Sequence, residues 1–294
     1  LANRFRNSFP SSYRDDFTHR TAVADIQHMK GLAEDQPMAM SFYRELEQPI
    51  QQVNFKLFHY GNPLPLSDVI PVMENLGLKV MDEHPYAVRS ENGRFWIHDF
   101  RMLHQTGSEI DMHSVRDTFQ TAFAHIWHGD ADSDHFNRLV LGAQLGWREV
   151  AVLRAYAAYV KQLKFGISQT AIANCLIHHV EITKKLVELF YSRFDPEGTR
   201  LEKQEKLKEA IIEELESVPS LTDDRIIRRY LDLILATLRT NFFQTDGDGK
   251  LRGYFSFKFS PRDIPDIPEP RPMYEVFVYS PRVQGVHLRG GKVA

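Results

Sequence analysis

The hydrophobic positions change their period along the 294 residues, and each change predicts a different kind of element. Phe9, Tyr13 and Phe17 begin an apolar pattern near the start. From Val53 to Tyr60 the period is two. Val53, Phe55, Leu57 and His59 alternate with Asn54, Lys56, Phe58 and Tyr60, which predicts a strand with one strongly apolar face. Gly61-Asn62-Pro63 breaks that strand. Ser67 is placed to cap a short helix through Leu76, and Gly77 to end it in a left-handed conformation, with Pro71 removing one backbone bond. Leu78 to Arg89 and Arg94 to Leu103 predict two strands around Glu91-Asn92-Gly93, whose Asn-Gly pair is a strong hairpin signal. Met112 to Trp127 follows as a helix, with Val115, Phe119, Phe123 and Ile126 at helical spacing.

Strand, helix, strand, strand, helix is most of a ferredoxin-like βαββαβ unit. The missing strand falls to Met40–Leu46 or to a neighbouring segment, and the pattern does not choose between them. From His135 to Asn241 the period becomes helical. Val150, Leu153, Ala157 and Val160 mark one face, Leu207, Ile211, Leu215 and Val218 a second, and Ile227, Tyr230, Leu231, Ile234 and Leu238 a third. Asp195-Pro196-Glu197-Gly198 stops one helix, and Ser220 with Asp223 resembles a capping box that starts another. A strand from Tyr254 to Phe259 comes next, then an extended connector with Pro261, Pro265, Pro268, Pro270 and Pro272, then a strand from Tyr274 to Tyr279.

Composition adds bounds. A chain that is 43% hydrophobic and 26% charged can hide roughly 75% of its unfolded surface, enough for two modest domains. A formal charge of −3 suggests neither a nucleic-acid surface nor a polybasic membrane anchor. The single cysteine, Cys175, excludes an internal disulfide, fits a reducing compartment, and stands in an apolar helical context expected to bury it as an inert thiol. No apolar run approaches the roughly 18 residues of a membrane span.

Most candidate chemistry dissolves on inspection. Asp130, Asp132 and Asp134 alternate as in a calcium loop, but His135 stands where the tight-turn glycine belongs and Leu141 where the bidentate acid belongs. Asp246 and Asp248 fail the same test at Lys250. His178 and His179 point to different helix faces, with no acid spaced to complete a zinc site. His98 and Asp99, adjacent in a strand, point to opposite faces. A basic, glycine-rich segment at the end is the exception: Gly285, Gly290 and Gly291 let backbone approach a ligand, and Arg282, Arg289 and Lys292 supply charge suited to a carboxylate. The chain opens at Leu1 without an initiator methionine, and this last segment has no element after it. We therefore expect a piece of a larger protein.

Ordered blocks along the chain carry a family resemblance. Tyr13-Arg14-Asp15-Asp16-Phe17, Leu66-Ser67-Asp68-Val69-Ile70-Pro71, Trp96-Ile97-His98-Asp99-Phe100, Trp147-Arg148-Glu149-Val150, Leu153-Arg154-Ala155-Tyr156 and Ala236-Thr237-Leu238-Arg239-Thr240-Asn241 resemble, in order, the large NAD-specific glutamate dehydrogenases of the long-chain bacterial class. The resemblance implies an α+β chain: a leading segment (1–37), a ferredoxin-like (ACT-like) module (38–130), an all-helical region (131–245) and a truncated β-rich start of the catalytic domain (246–294). It implies a homo-oligomeric cytoplasmic parent, with no nucleic acid or membrane partner, that oxidatively deaminates L-glutamate to 2-oxoglutarate with NAD. NAD would be held by a later domain, since no G-x-G-x-x-G follows a strand here.

Arg282-Val283-Gln284 looks like the strand that precedes the family's substrate residues. Arg289, Gly290, Gly291 and Lys292 would then flank that site, and no catalytic residue lies in this chain. Gly61, Asn62, Ser67 and Asp68, at the first strand-to-helix junction, are the candidate contacts for an amino-acid effector. Two alternatives stand beside this regulatory and assembly role: a free-standing ACT-like small-molecule sensor, and an oligomerisation scaffold without a ligand.

Overall fold

A computed structural model of the chain describes residue 5 and residues 7–91, 93–198, 201–267, 269 and 271–291. Asn92, Pro268, Pro270 and Lys292, all singled out above, lie outside the described residues. The chain divides into two compact units, Leu1–Ala124 and His125–Ala294, and both mix helix with antiparallel sheet.

The first unit begins with helices α1 (Ser11–Asp16) and α2 (His19–Met29), the latter capped by Thr18, whose hydroxyl accepts from the Thr21 N–H. Four strands follow: β1 (Met38–Tyr43), β2 (Gln52–Tyr60), β3 (Leu78–Ser90) and β4 (Gly93–His104). Helix α3 (Leu66–Asn75) lies between β2 and β3, and α4 (Met112–Trp127) follows β4. The sheet order is β1-β2-β4-β3, antiparallel throughout. The strand left open by the pattern is therefore β1, paired to β2 with Phe42 opposite Phe55 and Met40 opposite Leu57.

Register decides the packing. Phe42, Phe55 and Phe100 share one face, where Phe119 of α4 stacks on Phe42 at 4.2 Å and meets Phe55 edge-on at 5.3 Å. The expectation of one apolar face is too narrow, because the other face is buried as well. Phe58, Tyr86, Val88, Phe95 and Ile97 form a second core there with Phe5, Tyr13 and Met29 of the leading segment. The aromatic stripe at Phe9, Tyr13 and Phe17 covers the sheet, and Tyr13 and Phe17 both meet Tyr86 edge-on.

Two local expectations shift. Ser67 does not cap α3. Pro65, with φ −64°, occupies the N-cap without a side-chain acceptor, so Ser67 falls inside the first turn. At the hairpin, Ser90 pairs with Gly93, so Gly93 is the first residue of β4 rather than part of the turn. Its φ is +136°, and a Cβ there would stand 2.7 Å from Cε2 of Tyr60. Gly77 does end α3 at positive φ, +95°.

In the second unit α6 (Trp147–Gln162) is buried on every side from Val150 to Val160. A 3₁₀ turn (His135–Arg138) and the short α5 (Leu139–Gly142) precede it. Around it lie α7 (Gln169–His178), α8 (Val180–Phe194), α9 (Leu201–Leu215) and α10 (Leu221–Ala236). The helical pattern read through Leu238 is interrupted. Helix α10 stops at Ala236, and Thr237–Thr240 becomes β5, leaving Leu238 44% exposed. Thr237 is β-branched, pairs with Phe259, and turns its hydroxyl back to the Leu233 carbonyl, so helix passes into strand without a loop.

The second sheet has the order β5-β6-β7-β8, with β6 Phe255–Phe259, β7 Tyr274–Tyr279 and β8 Gln284–Arg289. Phe255, Phe257 and Phe259 face inward, and Tyr159 of α6 stacks on Phe259 at 4.2 Å. The proline connector is not uniformly extended, since Pro261–Asp263 forms a 3₁₀ turn and Asp266 has φ +57°.

Replacing Gly93 with alanine adds a clash with the Tyr60 ring to an unfavourable φ, and chemical denaturation should show a loss of about 2–3 kcal/mol.

Candidate functional site

The junction between β2 and α3 is built on a left-handed Gly61, φ +87°. His59 Nδ1–H donates to the Asn62 carbonyl at 2.7 Å, and the Gly61 N–H to the Arg94 carbonyl at 2.8 Å. Asn62, Ser67 and Asp68 are exposed, with Ser67 Oγ 3.2 Å from Asp68 Oδ1. The group presents an amide, a hydroxyl and a carboxylate, chemistry suited to an ammonium group. The loop is anchored from beneath. Leu64 N–H donates to Nε2 of His98 at 3.1 Å, which leaves Nδ1–H to donate to Glu83 Oε1 at 2.7 Å, and His98 is buried.

Asp99, the next residue, points to the opposite face as strand alternation requires. It accepts from Tyr43 Oη at 3.0 and 3.1 Å. Burial pushes its carboxyl up to about 7, with Lys56 and the Tyr43 hydroxyl opposing. Lys56 itself is buried, its Nζ 2.8 Å from Asp25 Oδ2 and 3.7 Å from the centre of the Phe17 ring. Tyr13 Oη donates to the same Asp25 oxygen at 2.5 Å, and its phenol is pushed up by burial and then by Asp25. Sequence reading placed Lys56 on the polar side of β2 and missed this network. The available signal was Asp25 within the segment that also supplies the Phe9, Tyr13 and Phe17 stripe.

The C-terminal candidates lie on the outer strand of the second sheet. Arg282 precedes β8, Gly285 is within it, Arg289 closes it, and Gly290 and Gly291 follow, all exposed. Met273 N–H donates to the Arg289 carbonyl at 2.8 Å. The arginines are thus presented along an edge rather than gathered in a pocket. Lys292 lies outside the described residues.

The aspartates with calcium-like spacing are all engaged. Asp130 pairs with His125 at 3.0 Å, Asp132 accepts from Tyr279 Oη at 2.5 Å, and Asp134 caps the 3₁₀ turn and pairs with Arg154 at 2.7 Å. Asp246 Oδ1 accepts from the Asp248 and Lys250 N–H groups, a turn tip.

His179 does find an acid that spacing did not reveal. Nε2 lies 3.1 Å from Asp223 Oδ2 at the start of α10, and Cys175 Sγ is 3.7 Å from the Asp223 carbonyl oxygen. The three could surround a metal ion. Burial, followed by Asp223, pushes the Cys175 thiol up, and these contacts join α7 to α10. Among the described residues no glycine-rich turn joins a strand to a helix in the manner that cradles a dinucleotide.

Comparison with known proteins adds the lineage. The model for helical motif 2 of glutamate dehydrogenase matches residues 1–32, and that for its ACT3 domain matches residues 37–115. Helical motif 3 follows at residues 131–196, and the catalytic domain of bacterial NAD-glutamate dehydrogenase at residues 210–294. The chain is 53% identical to the NAD-specific glutamate dehydrogenase of Halomonas elongata over 295 residues, covering 100% of this chain and 18% of that protein. It is 53% identical to the Pseudomonas aeruginosa enzyme of that name and 35% identical to the Mycobacterium tuberculosis one, again spanning 18% of each.

Replacing Lys56 with methionine strands Asp25 in the core. It should cost about 3–5 kcal/mol by chemical denaturation, and a second change, Asp25→Leu, should recover much of the loss. Asp99 has a folded-state pKa of about 7 against an ordinary 3.8, so between those values the folded chain keeps a proton that the unfolded chain gives up. Stability contributed at this site falls as pH rises through that window. In thermal melts Asp99→Asn should gain on the parent chain from pH 4 to 7 and hold the gain above it.

Proposed function

We propose, for a chain that belongs to the bacterial NAD-specific glutamate dehydrogenases, that residues 1–294 form a noncatalytic regulatory and assembly portion of that enzyme. The observation that carries this reading is the order of the four matched segments, which follow one another along the chain without overlap. The whole protein would convert L-glutamate and NAD to 2-oxoglutarate, ammonium and NADH, as a cytoplasmic homo-oligomer with NAD held outside this chain. We divide the chain into a leading segment (1–37), an ACT-like module (38–130), a helical region (131–245) and the start of the catalytic domain (246–294), a later boundary than residue 210, where the catalytic-domain match begins.

The strand order supports reading the module as ferredoxin-like. Taken as β2, α3, β3, β4 and α4, it lacks only a last strand beside β2, and β1 fills that edge in the antiparallel sense. Asn62, Ser67 and Asp68, carried on the Gly61 turn, are the proposed contacts for the ammonium and carboxylate groups of an amino-acid effector. Their tie to the sheet through Leu64 and His98 offers a route by which occupancy would be felt in the module. Arg282, Arg289, Gly290, Gly291 and Lys292 would flank the glutamate site contributed by later residues.

A scaffold role without a ligand is the second reading. The exposure of Val286 and Leu288 on β8, and of Val283 just before it, favours it, since an outer strand of that kind is suited to pairing with another chain segment.

The natural gene product that contains these residues should reduce NAD in the presence of glutamate, while the 294-residue chain alone should not. Absence of activity in the longer protein would overturn the enzyme assignment. Calorimetry of this chain with the common amino acids tests the effector site: heat abolished by a joint Ser67→Ala and Asp68→Ala change is expected, and no heat with any of them would leave the scaffold reading.

A further inference from the structure

Helix α10 carries Arg225, Arg228, Arg229 and Asp232 at spacings of three and four, so they lie along one stripe. The stripe lines a cleft of about 610 Å³ closed by the α6–α7 loop at Leu163–Phe165, by Lys208 and Ile212 of α9, and by Pro265–Ile267. Five cationic side chains, those of Lys164, Lys208, Arg225, Arg228 and Arg229, line it against the carboxylates of Asp232 and Asp266.

The ion pairs do not balance that charge. Arg228 is held by Asp224, its Nε 2.9 Å from both oxygens, and Lys208 reaches Glu205 at 3.5 Å. Arg229 is only 7% exposed, yet its hydrogen bond is to a neutral group, the Pro265 carbonyl at 2.6 Å, and its buried Nε has no partner. Its guanidinium carbon lies 4.7 Å from the centre of the Phe165 ring, and that of Arg225 lies 5.2 Å from the same centre. Both guanidinium groups thus lie against the same aromatic ring, and no carboxylate salt bridge to either occurs among the described residues. Burial pushes the Asp232 carboxyl up, against the pull of Arg229 and Arg228.

Two guanidinium groups that line one cleft can present forked donors to a planar or tetrahedral oxyanion. Apolar walls from Leu163, Phe165, Ile212 and Leu231 lower the local dielectric and strengthen the field. We propose that this cleft is a binding site for a compact dianion, a phosphate group or a dicarboxylate, gripped by Arg225 and Arg229 with Lys164 at the mouth. Nothing in the regulatory reading above requires the site, and it stands on the second unit alone.

Titration calorimetry of the 294-residue chain with inorganic phosphate and with succinate, at ionic strength matched by sodium chloride, tests it. Saturable heat with either anion is expected. Phosphate alone identifies a phosphate-bearing ligand, succinate alone a dicarboxylate, and both the shared dianion chemistry. Exposed Arg225 can be reversed without disturbing the core. Arg225→Glu should weaken binding by about tenfold or more, Arg225→Gln by less, and Lys79→Glu, outside the cleft, not at all. Heat no greater than that of chloride, or affinity unchanged in both Arg225 variants, overturns the proposal.

Discussion

The first unit depends on one buried ion pair. Lys56 sits in the middle of β2 on the face that alternation marks as polar, and Asp25 of α2 comes down to meet it. Neither charge is tolerable there alone, since isolated ions in a protein interior cost several kcal/mol each. The pair therefore requires the leading helices to sit on the sheet, and the Tyr13 hydroxyl and the Phe17 ring complete the enclosure. A hydrophobic pair of equal volume could stabilise this interface as well or better. What the ions add is register: α2 cannot slide by a turn without uncovering Lys56. On the same face burial raises the pKa of Asp99, and the Lys56 charge opposes that rise.

The second unit is organised differently, around a helix rather than a pair. Because α6 is buried on all sides, its polar side chains must be satisfied internally. Arg148 donates to the carbonyls of Phe242 and Arg252, Arg154 to Asp134, Tyr156 meets Thr237, and Tyr159 donates to Glu275. Four side chains of one helix thus tie the preceding turn, the α10–β5 join and the second sheet to a common axis. The passage from α10 into β5 without a loop is tolerable because Thr237 is gripped by both Tyr156 and Leu233.

Much of this was legible in the residues and some was not, for physical reasons. Period and punctuation placed β2, β3, β4, α3 and α4 within a residue or two, because each has a face in contact with core and glycine at its limits. They failed where the partner is distant in sequence. Nothing local tells that Asn54 and Lys56 are buried, that Thr237 leaves the helix to pair with Phe259, or that Asp223 comes to His179. The spacing arguments about calcium could not show that Asp130, Asp132 and Asp134 hold His125, Tyr279 and Arg154. The arginine cleft was invisible for the same reason. Its stripe on α10 reads as an ordinary solvated face until Phe165 and Pro265 are folded against it.

Two of the blocks that carried the family resemblance are structural ties. In Trp147-Arg148-Glu149-Val150, Glu149 accepts from the Gly146 N–H to start α6, and Arg148 closes on two backbone carbonyls. In Trp96-Ile97-His98-Asp99-Phe100, His98 anchors a loop and Asp99 a tyrosine. Such residues identify a lineage because a fold is hard to hold together in any other way, and for that reason they say little about ligands. Ligand chemistry has to be sought where polar groups are left unspent. Among the described residues two such places are the exposed hydroxyl and carboxylate in the first turn of α3 and the two guanidinium groups against one phenylalanine ring, and of these two the second stands beside a cavity.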